Sequence, residues 1–274
     1  MRVSVVLSTY NQPAALEKTL WGYSVQTHRH FEVVVADDGS TEETARLLER
    51  MRVETGLEIR HVWHPDDGFR KSEILNRAIV ASATEYLILS DGDCIPRKDF
   101  VAVHVEQAVR GRFLSGGYLK LPGPVSERVS HEAITSGRAF RLSWLVSQGW
   151  RPGRRALRLP PPAAGALLDR ITPTRPTWNG HNASTWRDAL LGVNGFDMEM
   201  GYGGQDRALG ERLENLGMRG VQIRHRAPCL HLHHDRPYVD PAVVRENRRL
   251  RERIRRERRV RAKQGIAELN SGSA

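Results

Sequence analysis

The chain has 274 residues, enough for one large domain or two small ones around a sizeable core. Hydrophobic residues make up 39% and charged residues 27%, which excludes a polytopic membrane protein, a collagen-like fibre and a wholly disordered chain. Forty-two Lys and Arg against 32 Asp and Glu give a formal charge of +10, so nucleic acid, an anionic membrane and a phosphorylated substrate all enter as candidate partners.

The first third alternates strand and helix patterns. Val3–Leu7 is a short β-branched run that ends in Ser8-Thr9-Tyr10-Asn11. Pro13 then opens a helical stretch to about Gln26, since proline is tolerated in a first helical turn. Phe31–Ala36 is a second apolar run, stopped by Asp37-Asp38-Gly39-Ser40. Thr41–Val53 reads as a helix capped by Ser40 or Thr41. Leu57–Trp63 reads as a third strand, and Lys71–Ala83 as a helix with Ile74, Leu75, Ala78 and Ile79 on one face. Tyr86–Ser90 is a fourth strand that runs into Asp91-Gly92-Asp93. Strands buried on both faces and joined by helices indicate an α/β fold with a parallel sheet. Ligands in such sheets bind beyond the carboxyl ends of the strands, where Ser8–Asn11, Asp37–Ser40 and Asp91–Asp93 all fall.

Residues 118–177 change character. They hold Pro122, Pro124, Pro152 and Pro160-Pro161-Pro162, together with Arg151, Arg154, Arg155 and Arg158. A helix is expected near 127–147, followed by an irregular lid or linker. Beyond them, Trp178–Trp186 reads as a strand, Gln205–Leu216 as a helix and Val221–Arg226 as a strand. Residues 241–264 form a strongly basic helical candidate, and the last ten residues read as frayed. The chain thus divides into 1–117, 118–177, 178–240 and 241–274.

Cys94 and Cys229 are too few for a disulfide framework, and no C-x-x-C pair exists for zinc. They read as reduced thiols in a reducing compartment, and the cytoplasm is the default location. No window approaches the roughly 20 apolar residues of a membrane span, and the apolar run at the N-terminus is too short for a signal peptide.

Three features carry chemistry. In Asp91-Gly92-Asp93 the two carboxylates are two residues apart in an extended segment, so both can face one spot. Hard oxygen ligands of this kind suit Mg²⁺ or Mn²⁺; a solvated turn is the alternative. In Gly201-Tyr202-Gly203-Gly204-Gln205-Asp206 the glycines let backbone approach a ligand closely, and Asp206 falls in a first helical turn. The alternative there is an acid that merely complements the helix dipole. His231-Leu232-His233-His234-Asp235 follows a strand-like stretch, and one of its histidines is a candidate metal ligand.

Val5-Val6-Leu7-Ser8-Thr9-Tyr10-Asn11, Val35-Ala36-Asp37-Asp38-Gly39-Ser40 and Asp91-Gly92-Asp93 resemble the nucleotide-sugar-binding core of family 2 glycosyltransferases. Trp178-Asn179-Gly180-His181-Asn182, Gly195-Phe196-Asp197 and Gly203-Gly204-Gln205-Asp206 resemble a galactosyltransferase-type C-terminal module, also found in bacterial chondroitin-type polymerases. The resemblance covers roughly 1–117 and 178–238. It implies a GT-A fold, a Rossmann-like mostly parallel sheet flanked by helices, here with a basic C-terminal helix. Residues 1–117 would then bind the nucleotide sugar, and 178–240 the acceptor.

The resemblance also implies roles. Thr9, Asn11 and Asp38 would contact the nucleotide. Asp67, Arg70 and Asn76 would line its diphosphate pocket, and Asp91 and Gly92 would sit by the ribose and donor sugar. Asp93 would bind Mn²⁺ or Mg²⁺ with His231 or His234, His231 being favoured because it comes directly off the strand. Asp206 would be the catalytic base. Trp178, Asn182, Tyr202, Gly204 and Gln205 would form the acceptor site. Gln205 stands where the family carries Glu, which changes the charge beside the base. The implied reaction is inverting transfer from a nucleotide diphosphate sugar, UDP by default, to an acceptor hydroxyl. That acceptor would be a saccharide, a lipid-linked sugar or a small molecule.

A sugar nucleotidyltransferase is the alternative enzyme, but no G-x-G-x-x-G or G-K-[ST] phosphate loop appears. A nucleic-acid-binding module is a further alternative. No zinc-finger spacing, RNP-type motif or clear helix-turn-helix supports it, so no nucleic-acid partner is expected. The charge is in fact local. Residues 245–263 hold ten Arg and one Lys against Glu246, Glu252 and Glu257, and residues 133–168 hold six Arg and no acid. The remainder is mildly acidic. The basic helix reads as a solvated face or as a dock for an anionic membrane or phosphate-bearing acceptor.

Overall fold

The computed structural model describes residues 1–160, 162–234 and 239–269. Asp235, Pro161 and the tail 270–274 lie outside the described residues, as do the side chains of Arg154, Arg155, Pro162 and Ala163.

Four parallel strands form the first half. They are β1 (Val3–Thr9), β2 (Phe31–Asp37), β3 (Ile59–Trp63) and β4 (Tyr86–Asp91). Every residue of β1 and β2 is buried, as expected of strands covered on both faces. The crossovers are α1 (Pro13–Ser24), α2 (Glu42–Thr55) and α3 (Lys71–Ala81). Thr41 is the N-cap of α2, but neither it nor Ser40 caps with its hydroxyl; Ser40 Oγ instead accepts from the Asn11 amide.

β5 (Cys94–Pro96), β6 (Arg112–Ser115) and β7 (Gly117–Lys120) follow, then β8 (Ala183–Trp186), β9 (Arg219–Gln222) and β10 (Pro228–His231). The large sheet has seven strands in the order β3-β2-β1-β4-β8-β6-β9, with β8 antiparallel to both neighbours. A second sheet of three strands, β5-β10-β7, stands at the carboxyl end of β4. One core lies between the large sheet and α1 and α2, and another beneath α3 and the helix Gln205–Asn215.

Several expected elements differ. The helix expected near 127–147 is broken into Gly123–Arg128, His131–Thr135 and Leu142–Ser147, interrupted at Val129 and Gly137. These pieces are not a loose connection: Val125, Val129, Ile134 and Leu145 pack with Ile95 and Leu230 of the small sheet. Only Ala183–Trp186 of the stretch from Trp178 is strand, because the preceding residues turn inward and bury Trp178. The strand expected over 221–226 is Arg219–Gln222, and the chain then turns. The basic helix ends at Arg256. Residues 265–269 are not frayed, since Ile266 and Ala267 donate to Asn194. Among the described residues no helix is long and apolar enough to cross a membrane.

Asn76 joins the two halves. Its side chain is fully buried on α3; Nδ2 donates to the Phe196 carbonyl at 2.8 Å and Oδ1 accepts from the Phe196 amide at 2.7 Å. Removing this amide leaves two buried backbone groups without partners. Asn76→Ala is therefore expected to cost about 2 kcal/mol in urea unfolding, and a change below about 0.5 kcal/mol would show the clamp to be idle.

Candidate active site

Register places the chemistry. β1 pairs Thr9 with Asp37 on one side and Ser8 with Asp91 on the other, so the motif residues end along one edge. A cleft of about 500 Å³ opens there. Thr9, Asp38, Asp91, Gly92 and Asp93 line it from the first half of the chain, and Tyr202, Gln205, Asp206, His231 and His234 from the second.

One lysine organises the carboxylates. Lys71 Nζ lies 2.7 Å from Asp91 Oδ1, which also accepts from Ser8 Oγ at 2.7 Å. Burial opposes ionisation of Asp91, but the Lys71 ammonium outweighs it and holds the carboxyl well below the usual range. Burial likewise opposes the charge on Lys71, and Asp91 followed by Asp206 more than restores it. Among the described residues no cation stands on Asp206 in this way. Burial pushes it up to about 6 against the pull of Lys71, and Asp91 adds to the rise. Its Oδ1 is buried without a hydrogen bond among the described residues. The Gly180 backbone packs so close that a Cβ there would stand 2.6 Å from that oxygen.

Asp93 faces histidines. Its Oδ2 is 3.2 Å from His234 Nε2 and 3.7 Å from His231 Nδ1, and the two rings stack at 5.4 Å. Burial raises the Asp93 pKa, His231 lowers it, and Asp91 adds repulsion. His231 Nδ1 lies 2.8 Å from the Leu232 carbonyl. A proton there leaves Nε2 as the nitrogen with the lone pair, the arrangement typical of a metal-ligating histidine. A buried carboxylate beside a second carboxylate and two imidazoles fits a divalent metal ion. Cys94 lies in the same cluster, and burial raises the pKa of its thiol.

The structure moves other expected residues out of the cleft. Asn76 is spent on Phe196. Asp67 is exposed, and Arg70 forks onto Glu73 at 2.8 Å. Asn11 braces the turn after β1 through Ser40 and Thr41. Trp178 is fully buried against Phe113 and Gly210. Asn182 is fully buried and bonds Gly117, Ala227 and His104. Gly204 serves as the N-cap of the helix Gln205–Asn215 at φ 103°, a conformation that favours glycine.

Lys71, His181 and Phe69 line the cleft and are missing from the expected set. Lys71 directly follows Arg70, which was expected in the diphosphate pocket, so the signal was one residue away. His181 stands in Asn179-Gly180-His181-Asn182, and burial lowers its pKa to about 4. Phe69 meets Tyr202 edge-on at 5.7 Å, which links the two loops over the cleft.

The basic helix Pro241–Arg256 supports this loop. Buried Asn247 donates to the carbonyls of Gly201 at 3.0 Å, Tyr202 at 3.3 Å and Gly203 at 2.9 Å. Arg251 and Arg255 both reach Glu211 at 2.7 Å. Part of the basic charge is therefore internal scaffolding.

A sequence model of glycosyl transferase family 2 matches residues 4–154, more than half of the chain. The chain belongs to that family. Validoxylamine A glucosyltransferase of Streptomyces hygroscopicus is 30% identical over 79% of this chain and 52% of its own length. Chondroitin synthase of Escherichia coli is 31% identical over 38% of this chain and 15% of its own. The chain thus spans about half or less of the curated relatives it matches. Staphylococcus aureus TarS 1–349, solved with UDP, superposes with a TM-score of 0.61 at 17% identity, over 98% of this chain and 68% of that one. Mannosyltransferase PcManGT of Pyrobaculum calidifontis, solved with GDP-Man and Mn²⁺, gives 0.58 at 21% identity, over 86% and 58%. The fold is the GT-A type that the sequence motifs implied.

The raised pKa of Asp206 has a stability consequence. An unfolded chain ionises this group near 3.8 and the folded chain near 6, so the folded state holds the extra proton between those values. Stability therefore falls as pH rises through that window. Asp206→Asn is expected to raise Tm at pH 8 and to leave it unchanged at pH 4. Equal Tm values at pH 8 would contradict the shift.

Proposed function

We propose that this chain is a metal-dependent, inverting glycosyltransferase that moves a sugar from a nucleoside diphosphate sugar to an acceptor hydroxyl. The observation that carries the reading is a half-buried carboxylate, Asp206, whose buried Oδ1 has no hydrogen bond among the described residues, sharing a cleft with the Asp93–His231–His234 cluster. Uridine is the proposed base, supported by the fold neighbour solved with UDP. The proposed acceptor is a saccharide, a lipid-linked sugar or a small molecule. The buried free thiols Cys94 and Cys229 fit a reducing compartment, the cytoplasm.

Thr9 and Asp38 would receive the nucleotide at the ends of β1 and β2. His64 at 2.9 Å and the Arg70 amide at 3.1 Å orient the Asp38 carboxylate. Asp93, His231 and His234 would hold Mn²⁺ or Mg²⁺, which as a Lewis acid neutralises charge on the departing diphosphate. Lys71 keeps Asp91 ionised and fixed beside the donor. Tyr202 and Gln205 would shape the acceptor side. Asp206 would take the proton from the acceptor hydroxyl as its oxygen bonds the anomeric carbon and the bond to the diphosphate oxygen breaks. A pKa near 6 leaves this base ionised at neutral pH yet less weak than an ordinary carboxylate. One displacement inverts the anomeric centre.

Asp206→Asn is expected to keep the parent's donor affinity and lose at least about 100-fold in turnover. Turnover near the parent's would overturn the assignment. Parent turnover is expected to fall as pH drops below about 6, where Asp206 becomes protonated. Asp93→Ala is expected to abolish stimulation by Mn²⁺, and a variant that still responds like the parent would place the metal elsewhere.

A further inference from the structure

The helix Pro162–Ile171 turns its polar anchor inward and its aliphatic side chains outward. Asp169 is 9% exposed; it accepts from the His225 amide at 2.8 Å and from Arg226 Nε at 2.9 Å. Gly165, one turn earlier, packs so closely that a Cβ would stand 2.9 Å from the His225 carbonyl oxygen. Residues four apart share a face, so Gly165 and Asp169 define the inner one. Leu167 and Ile171 lie on the opposite face and are 61% and 62% exposed. Leu157 is 64% exposed shortly before this helix. The earlier helix Leu142–Ser147 repeats the pattern, with Leu145 buried and Leu142 and Val146 exposed at four-residue spacing.

The stretch of sequence that carries these aliphatics holds charge of one sign, although Arg138 pairs with Glu132 and Arg158 donates to the Tyr118 carbonyl. Residues 133–168 hold six Arg and no Asp or Glu, and the next acid, Asp169, is consumed within the fold. Arg141, Arg151 and Arg170 are exposed. Exposed aliphatic side chains and exposed arginines on one stretch of the chain match the boundary of an anionic bilayer, where acyl chains meet phosphate headgroups.

We propose that the helix Pro162–Ile171 and the arginine-rich segment before it bind the surface of an anionic lipid bilayer. Leu167 and Ile171 enter the acyl boundary, and the exposed Arg141, Arg151 and Arg170 meet lipid phosphates. None of these residues lines the cleft, so the proposal stands apart from the transfer reaction.

The test uses the full chain in co-sedimentation with vesicles of phosphatidylcholine alone or mixed with phosphatidylglycerol. The parent is expected to bind only the mixed vesicles, and less at high salt. Leu167→Ser with Ile171→Ser is expected to weaken binding by at least about tenfold while thermal unfolding stays unchanged. Arg151→Glu with Arg170→Glu is expected to weaken it too, with the aliphatics intact. Three results would overturn the proposal. They are a parent that binds neither vesicle, an aliphatic variant that binds like the parent, and binding lost only in Arg248→Glu with Arg249→Glu. A concentration-dependent dimer that the aliphatic variant abolishes, without vesicle binding, would assign the face to a second copy instead.

Discussion

The pairing of Lys71 with Asp91 at 2.7 Å governs the cleft. Three carboxylates, Asp91, Asp93 and Asp206, meet there in partly buried surroundings. Burying like charges together is unfavourable unless something divides them. Lys71 does so by standing on Asp91. Asp91 remains ionised, whereas Asp93 and Asp206 are both pushed upward. The unequal sharing gives three chemically similar side chains three different settings. One is held by a lysine, one sits beside two imidazoles, and one keeps a buried oxygen without a hydrogen bond among the described residues.

The fold exists to bring these groups together. Asp91 and Asp93 come off β4, Lys71 opens α3, Asp206 opens the helix Gln205–Asn215 and His231 ends β10. Few of these contacts are local in sequence. Asn76 ties α3 to the turn at Phe196, and Asn247 gathers three carbonyls of the loop that carries Tyr202. Both are buried amides with fixed partners, which suits them to hold loops that would otherwise move. The basic C-terminal helix is in part the brace of the loop that carries Tyr202.

The parallel half was legible because its signals are local. Buried β-branched runs, a proline at a helix start and carboxylates at strand ends can each be read in a short window. Asp91 and Asp93 were read this way, Asp206 from a glycine-rich turn and His231 and His234 from a histidine run, and all five line one cleft. Where the expectations failed, the residue type was right for chemistry but packing had claimed it. Trp178 fills a core, and Asn182 satisfies backbone carbonyls of β7 and the turn before β10. Arg70 was expected in the diphosphate pocket, but it pairs with Glu73 one turn along α3. The middle segment was illegible because its short helices are defined by contact with Ile95 and Leu230, far away in the chain.

The division of the carboxylates can be measured directly. Carbon-13 carboxyl chemical shifts of Asp91 and Asp206, assigned through Asp91→Asn and Asp206→Asn, would be followed against pH in the metal-free protein. The account predicts a midpoint of about 6 for Asp206. It predicts that Asp91 stays ionised wherever the protein is folded. An Asp206 that titrates like an ordinary exposed carboxylate, or an Asp91 that titrates alongside it, would contradict the account.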